Sequence, residues 1–204
     1  MGKKQRLAAL AAIGITGLGG LALQVGTSGA SSSIAQAELR DASGNVVGEV
    51  VFKLREGEIV GQAEVLLPTS SGEFHGFHIH ANDGLTGDLA GTGPATGAAC
   101  AAPAFTSVGS HWKAAGQNHG GHTGDLPVLM RGPDGHAEAE FVVGKFEPGD
   151  IVGRAVVVHV GADNYANIST RYTSGGVPGP DATTLSNGDA GDRFACGVIE
   201  PRSG

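Results

Sequence analysis

Short runs of β-forming residues, each closed by turn-forming residues, restrict this chain to folds built from antiparallel strands. The first three runs, at 34–40, 46–54 and 59–67, alternate in part between apolar and polar residues. They are separated by Asp-Ala-Ser-Gly-Asn and by Glu-Gly-Glu, which are typical of tight turns. We therefore expect the folded part of the chain to begin with a β-meander.

Seven or eight strands can be assigned along the chain, and no amphipathic helix is predicted after the N-terminal segment. Further strands are predicted at 74–80, 151–159 and 194–199, with a hairpin formed by 128–130, the turn 132–135 and 137–143. This pattern favours an all-β domain, an eight-stranded antiparallel Greek-key β-barrel related to the immunoglobulin-like sandwich. The intervals 81–127 and 164–192 far exceed the usual connection of about 4 to 6 residues, so we expect two long functional loops.

The first 30 residues have the layout of a secretory signal peptide. Lys3, Lys4 and Arg6 precede an uncharged apolar stretch at 7–23, and a Ser/Gly/Ala segment follows it. We predict cleavage after Ala30, which leaves one domain at 31–204 in a secreted protein or one of the periplasm or cell envelope. The alternative is an uncleaved membrane anchor, for which the apolar stretch is marginal in length.

Net charge and cysteine content bear on the partners of the protein and on its redox compartment. Removing the leader takes away three cations and no anion, so the formal net charge of -7 becomes -7 - 3 = -10, which argues against nucleic acid as a partner. The chain has two cysteines, Cys100 and Cys196, and export to an oxidising compartment predicts a disulfide between them. Closing a loop of that size would stabilise the fold by at most about 4 to 5 kcal/mol.

Six of the eight histidines fall in three groups, near strand ends or on the first long loop. His78 and His80 are two residues apart on a predicted strand, so both imidazoles lie on one face and can share a metal ion. The alternative is a pair of incidental polar residues on a solvated face.

The most specific pattern consists of His111, His119, His122 and Asp125. Three imidazoles and a carboxylate within fifteen residues, spaced by glycines, can close around one ion as a tetrahedral structural zinc site. A solvated Gly/His-rich loop is the alternative, but such loops seldom supply four ligands. Copper(II) prefers several imidazoles in a flattened arrangement, so copper and zinc together are the economical interpretation of the histidine groups.

The third histidine group is His159, at the end of an apolar strand. A lone histidine there is more often a satisfied core residue than a ligand. Asp163 follows four residues later and is well placed to accept a hydrogen bond from an imidazole. The remaining histidines, His75 and His136, have no such companions, and we predict that both lie on the surface.

Four stretches of the sequence resemble the copper/zinc superoxide dismutase family, and the resemblance spans essentially the whole chain after the leader. They are Gly76-Phe-His-Ile-His80, His122-Thr-Gly-Asp125-Leu-Pro, His159-Val-Gly-Ala-Asp163 and Gly188-Asp-Ala-Gly-Asp-Arg193-Phe-Ala-Cys196-Gly-Val. The similarity is greatest to exported bacterial members, some of whose relatives lack zinc. All four zinc positions are filled here, so the resemblance implies both metals.

Carried over by position, the family pattern implies seven metal ligands, one of them shared. The implied copper ligands are His78, His80, His111 and His159. The implied zinc ligands are His111, His119, His122 and Asp125. His111 would therefore bridge the two metals.

The resemblance implies further roles. Asp163 matches the aspartate that ties a copper-binding histidine to a zinc-binding one, and Arg193 matches the arginine beside the open copper position. Cys100 and Cys196 match the intrasubunit disulfide. The implied Greek-key β-barrel agrees with the strand assignment.

The activity implied by the resemblance is dismutation of superoxide to oxygen and hydrogen peroxide, an antioxidant defence outside the cytoplasm. His111 would carry a proton to the peroxide, and Arg193 would attract and orient the anionic substrate. Two alternatives stay open: a non-catalytic module that buffers copper, and a copper-only dismutase with a vacant zinc loop. Family members associate in different ways, so a monomer and a homodimer are both compatible with the sequence.

Overall fold

The structure is a computed structural model that describes residues 32–69, 72–97 and 100–202. The predicted signal peptide lies outside the described residues. The strands are β1 (Ser32–Asp41), β2 (Val46–Arg55), β3 (Glu58–Leu66), β4 (Phe74–His75), β5 (Phe77–His80), β6 (Leu129–Met130), β7 (His136–Val143), β8 (Ala155–His159), β9 (Thr173–Ser174), β10 (Val177–Pro178), β11 (Arg193–Val198) and β12 (Glu200–Pro201). A short helix, α1 (Thr184–Asn187), and three 3₁₀ turns complete the described elements.

Eight of these strands form one antiparallel sheet that curls on itself. Their order is β5-β8-β11-β1-β2-β3-β7, and β12 pairs with β1. The two ends of this series face each other across the core, because the ring of Phe77 in β5 lies 5.9 Å from that of Phe141 in β7. The late strand β11 lies beside the first strand of the β1-β2-β3 meander, which is a Greek-key arrangement. The all-β prediction is confirmed.

The predicted meander follows from alternation and turn chemistry. In β1, Ala35, Ala37 and Leu39 are buried, because successive side chains of a strand point to opposite faces. At the end of β1, the Asp41 carboxylate accepts hydrogen bonds from the backbone of Ser43 at 2.8 Å and Asn45 at 2.9 Å, and so shapes the turn into β2.

Strand β8 is buried on both faces, which explains its uninterrupted apolar sequence. Val156 and Val158 point inward into the main core. On the other side, Val157 packs in a second cluster with residues of the first long loop, among them Phe105 and Val108. The first long loop is therefore packed against the outer face of the barrel.

The predicted strand at 74–80 is two strands, interrupted at Gly76. β4 pairs with β6 in a small separate sheet, whereas β5 pairs with β8 in the large one. Gly76 donates to the carbonyl of Gly161 and accepts from the amide of His159, both at 2.8 Å. A Cβ on Gly76 would lie 2.6 Å from Cβ of Ala190, so this close approach of the second long loop requires glycine.

The predicted hairpin between 128–130 and 137–143 is wrong. The turn exists, and the amide of Gly132 donates to the carbonyl of His136 at 2.7 Å. However, β6 pairs with β4, and β7 pairs along its whole length with β3. The strand predicted at 151–159 begins only at Ala155, because the preceding residues form a turn. Among the described residues, no helix is long and apolar enough to cross a membrane.

Candidate metal centre

The side chains predicted as metal ligands meet on the outer face of the barrel, under the first long loop. Phe77 and Ile79 point into the core, so the alternation of β5 turns His78 and His80 outward. His159 ends the neighbouring strand β8, and all three histidines are buried.

The first long loop doubles back along the free edge of β5 and so brings its own ligands to the site. The amide of Trp112 donates to the carbonyl of Ile79 at 2.9 Å, and the amide of Ile79 donates to the carbonyl of Gly124 at 2.8 Å. These bonds place His111 opposite His80 and Asp125 opposite His78. Pairing with a strand edge thus fixes where a glycine-rich loop puts its imidazoles.

Four imidazoles form the first set. They belong to His78, His80, His111 and His159, and one nitrogen from each lies within 4.8 Å of the others. Nδ1 of His80 donates to the carbonyl of Gly109 at 2.9 Å, and Nδ1 of His159 donates to that of Gly191 at 3.0 Å. Both rings therefore turn Nε2 inward as a lone-pair donor, and these two atoms are 3.4 Å apart.

The second set surrounds the carboxylate of Asp125. Its Oδ1 lies 3.4 Å from Nδ1 of His111, 3.4 Å from Nδ1 of His119 and 3.3 Å from Nδ1 of His122. Its Oδ2 accepts backbone hydrogen bonds from Gly120 at 2.8 Å and from His122 at 3.0 Å. One carboxylate oxygen and three imidazole nitrogens thus share one small volume, as tetrahedral zinc requires.

The distances between possible ligand atoms group His78, rather than His122, with His111, His119 and Asp125. The hydrogen bonds instead favour His122 as the third histidine of this group. Nε2 of His78 is already engaged, whereas neither nitrogen of His122 has a hydrogen-bond partner within the described part of the chain. We therefore place His78 in the first set and His122 in the second.

Asp163 joins the two sets. Nε2 of His78 donates to its Oδ2 at 2.7 Å, and Nε2 of His119 donates to its Oδ1 at 2.8 Å. The Asp163 side chain is fully buried, so this connection is shielded from solvent. It leaves Nδ1 of each histidine free for a metal ion.

The pKa values of the first set favour neutral imidazoles. Burial lowers the pKa of His78 and of His80 well below the ordinary value, and it lowers the pKa of His159 to about 4. Burial also lowers the pKa of His111. A neutral imidazole keeps one lone pair, so a metal ion bound to one nitrogen of each ring would not have to displace protons at pH 7, whereas His111 would lose its remaining ring proton if it held both metals.

The pKa values in the second set differ because two carboxylates, Asp125 of the set and the neighbouring Asp163, lie against its histidines. Burial alone would lower the pKa of His119, but the hydrogen bond to Asp163 and the negative charges of Asp125 and Asp163 outweigh it and raise that pKa to about 9. Burial would raise the pKa of both carboxyl groups, yet their bonds to imidazoles hold both pKa values below the ordinary range.

Buried nitrogen atoms without hydrogen bonds show that this arrangement fits metal ions. Among the imidazoles of the described residues they are Nδ1 of His78, Nε2 of His111, Nδ1 of His119 and both ring nitrogens of His122. An unpaired buried polar atom costs about 1 to 3 kcal/mol, and such atoms are rare in folded proteins. Two metal ions would satisfy one nitrogen of each of these four rings.

Arg193 lies at the start of β11, paired with His159 of β8. Its guanidinium donates to the carbonyl of Phe105 and, at 2.5 Å, to the carbonyl of Gly109, which also accepts from His80. Its positive charge helps to lower the pKa of His80 and His159, so it acts directly on the first set. The cation is half-buried and held in one direction by main-chain acceptors.

The predicted disulfide between Cys100 and Cys196 is present. Cys196 lies three residues after Arg193 in β11, and Cys100 belongs to the first long loop. The bond therefore fastens that loop to the strand that carries Arg193.

The prediction for His75 is wrong, because this histidine is fully buried. Its Nδ1 donates to the main-chain carbonyl of His159 at 2.8 Å, so it supports the strand end that carries a site residue. No companion residue in the sequence signals this contact, which depends on the break at Gly76. His136 is exposed, as predicted.

Two residues that the sequence did not single out support the second set. Nζ of Lys145 donates to the carbonyls of His122 at 3.0 Å and Asp125 at 3.2 Å. The ring of Tyr165 stacks on His119, and its hydroxyl accepts from the amide of Val128 at 2.8 Å. Lys145 acts through main-chain carbonyls and Tyr165 through a ring face, and neither kind of contact produces a recognisable spacing of residues in the sequence.

Comparison with known proteins decides the family. Residues 46–199 match the family model described as copper/zinc superoxide dismutase. The chain belongs to this family. Family membership agrees with two histidine sets that share His111.

Individual relatives support the assignment. A Cu-Zn superoxide dismutase of Mycolicibacterium paratuberculosis is 41% identical over 132 residues, which cover 62% of this chain and 56% of the relative. The corresponding protein of Mycobacterium tuberculosis is also 41% identical, over 62% of this chain and 52% of its own length. The chain thus spans about half the length of these curated relatives.

A solved structure shows the same fold. The crystal structure of a double mutant of a SOD-like protein from Bacillus subtilis superposes with a TM-score of 0.58 at 25% identity. The match covers 83% of this chain and 99% of the Bacillus chain.

Proposed function

We propose that this protein dismutates superoxide at a copper/zinc centre outside the cytoplasm, with the overall reaction 2 O₂•⁻ + 2 H⁺ → O₂ + H₂O₂. One observation carries the proposal: His111 belongs to both the four-imidazole set and the Asp125 set, and a fixed cation, Arg193, lies beside the first of them. A protein that only stores copper would need neither the second set nor the cation.

We assign the metals by donor type. Copper would be held by four imidazoles, from His78, His80, His111 and His159. Zinc would be held by His111, His119, His122 and Asp125 through the atoms that converge on Oδ1. When bound, copper supplies one-electron redox chemistry, and zinc supplies a fixed structural charge.

Arg193 would bind and orient the substrate. Superoxide is an anion and the chain carries a formal net charge of -7, so attraction has to come from a local positive field. The carbonyls of Phe105 and Gly109 fix the guanidinium, so it loses little freedom when the anion arrives.

His111 would hold the proton that the product needs. Its Nδ1 faces Asp125, whereas its Nε2 is buried and has no hydrogen-bond partner in the described residues. Nε2 would carry a proton only when it is not holding the metal, and that proton would then pass to the reduced substrate on the side of His80 and His159, while the second proton of the product would come from solvent.

Two features of the chain support a location outside the cytoplasm. A signal-like leader followed by a chain whose two cysteines are bonded suits an oxidising compartment. We propose a secreted or periplasmic protein, held at the membrane only if the leader stays uncleaved, and acting as a monomer or a homodimer.

The proposal is tested with purified protein loaded with copper and zinc. We expect one copper and one zinc per chain by elemental analysis, and catalysed decay of superoxide that removal of copper abolishes. Protein that binds both metals but leaves the spontaneous decay rate unchanged would instead be a metal-binding module. Copper without zinc, after loading with both, would support a copper-only dismutase.

A further inference from the structure

A buried arginine lies beside the metal centre without touching the proposed substrate position. Arg154 directly precedes β8 and is only 6% exposed. Its guanidinium hydrogen bonds, within the described residues, all go to main-chain carbonyls, those of Asp150 at 2.8 Å, Ala81 at 3.0 Å and Gly93 at 3.4 Å. Burying a cation costs desolvation free energy, so a buried arginine needs these acceptors.

Two contacts of Arg154 fall on residues that immediately follow site histidines. Ala81 follows His80, and its carbonyl accepts from Nη1 of Arg154 at 3.0 Å. Trp112 follows His111, and the guanidinium carbon lies 4.0 Å from the centroid of the indole ring. One side chain therefore holds the two chain segments that carry His80 and His111.

Those two histidines face each other across the site. His80 and His111 form an isolated bridge, and their ring centroids are 4.8 Å apart. Main-chain hydrogen bonds flank this bridge, from Ala81 to Ser110 and from Trp112 to Ile79, both at 2.9 Å, but the bridge belongs to no regular strand pair. Contacts that hold Ala81 and Trp112 from outside the bridge therefore also act on the spacing of the two rings.

A third contact connects Arg154 to the turn around Gly91. Gly93, which binds Arg154, and Gly91 both donate backbone hydrogen bonds to the carboxylate of Asp83, at 3.3 and 3.0 Å. The carbonyl of Gly91 accepts from the amide of Lys113, two residues after His111. Burial lowers the pKa of Arg154, while the charge of Asp83 acts in the opposite direction and helps to keep it a cation.

We propose that Arg154 is a positioning residue of the metal centre, fixing the distance between His80 and His111 by holding Ala81 and Trp112, with Asp83 organising the turn behind them. The inference rests on the proposed role of the four-imidazole set as the copper site. Arg154 does not touch the substrate, so its effect is exerted through the geometry of the copper ligands.

The test compares Arg154→Met, Arg154→Lys and a control, Arg55→Met, in the full chain. Arg55 is an exposed arginine whose ion pair with Glu140 lies on the outer sheet surface, so its loss removes a cation without touching the site. Each protein is loaded with copper(II) and zinc. The readouts are the electron paramagnetic resonance spectrum, copper affinity by chelator competition, and the fluorescence of Trp112, the single tryptophan.

We expect Arg154→Met to change the copper spectrum and weaken copper binding by about 10-fold or more, the scale typical of residues that orient metal ligands. Arg154→Lys should fall between wild type and Met, because it keeps the charge and loses the planar donors. Arg55→Met should match wild type in both readouts. In the metal-free protein, Trp112 fluorescence should change in both Arg154 variants and not in the control.

A folded Arg154→Met with wild-type copper spectrum and affinity overturns the inference. Should that variant not fold, Arg154→Lys decides, since a wild-type spectrum and affinity there overturn it equally. A wild-type protein whose copper spectrum lacks nitrogen ligands would instead refute the proposed copper site, which separates the two failures.

Discussion

Gly188 offers the sharpest test of the connection between the two histidine sets. It caps α1 in the left-handed region, at φ 65° and ψ 17°. A Cβ at this position would lie 2.1 Å from Oδ1 of Asp163 and 2.3 Å from Nε2 of His119, more than 1 Å inside ordinary contact. Those are the two atoms of the 2.8 Å hydrogen bond that joins Asp163 to the second set. Gly188→Ala must therefore force this bond apart.

A matched control separates the expected loss of unfolding free energy into two parts. Gly175 has a similar φ of 57° and nothing within 4 Å of its added Cβ. Gly175→Ala should then lower the free energy of unfolding by about 1 to 2 kcal/mol, from backbone strain alone. Gly188→Ala should show the same strain plus loss of a charged buried hydrogen bond, about 1.5 to 3 kcal/mol, for a total of about 2.5 to 5 kcal/mol.

The assay measures urea unfolding of the metal-free proteins at pH 7, followed by zinc competition with a chelator. Zinc affinity should fall about 10- to 100-fold in Gly188→Ala and stay unchanged in Gly175→Ala, because only the first disturbs the orientation of His119. Equal losses of stability in the two variants, with equal zinc affinity, would refute the argument that Asp163 orients His119.

Replacing Arg193 with Ala should leave copper and zinc contents unchanged and slow the catalysed decay of superoxide. Arg193→Lys should keep more of the rate than Arg193→Ala, because it keeps the charge. Full activity in Arg193→Ala would contradict the role of Arg193 and make Lys113 the next candidate for the substrate-attracting cation. Higher ionic strength should slow the wild type more than Arg193→Ala, because screening weakens the attraction that only the wild type retains. Thiol titration of unreduced, unfolded protein should detect no free thiol, and two thiols would contradict the disulfide. Zinc binding to metal-free protein at pH 7 should release about one proton, since His119 with a pKa of about 9 is protonated there. Zinc affinity should then increase from pH 6 to pH 8 in calorimetry, and a pH-independent affinity would contradict the assigned pKa.

Much of the site could be predicted because its residue types repeat at short spacings. His78 and His80 alternate on one strand, and His119, His122 and Asp125 are close in a glycine-spaced loop. Local geometry therefore limits where these side chains can go. The pairing of the loop with the edge of β5, which brings His111 opposite His80, is a long-range contact that no local pattern reveals.

The residues that hold the ligands were not predictable for a related reason. Arg154 and Lys145 act on main-chain carbonyls, and every residue has such a carbonyl. Recognition of this kind leaves no pattern of residue types in the sequence. The buried position of His75 was missed in the same way, because its partner is the carbonyl of His159.

The apolar residues form two clusters, and the first long loop contributes to both. The main core lies inside the curled sheet and also takes Trp112 and Leu126 from the first long loop. The outer cluster is small, and it consists of residues from the first long loop, β8 and β11 packed beside the disulfide. Unpaired imidazole nitrogens in this outer layer oppose folding until metals bind them. Loss of the metals and reduction of the disulfide should therefore loosen the part of the first long loop around Phe105 and Val108, while the barrel beneath it, to which Trp112 and Leu126 belong, stays folded.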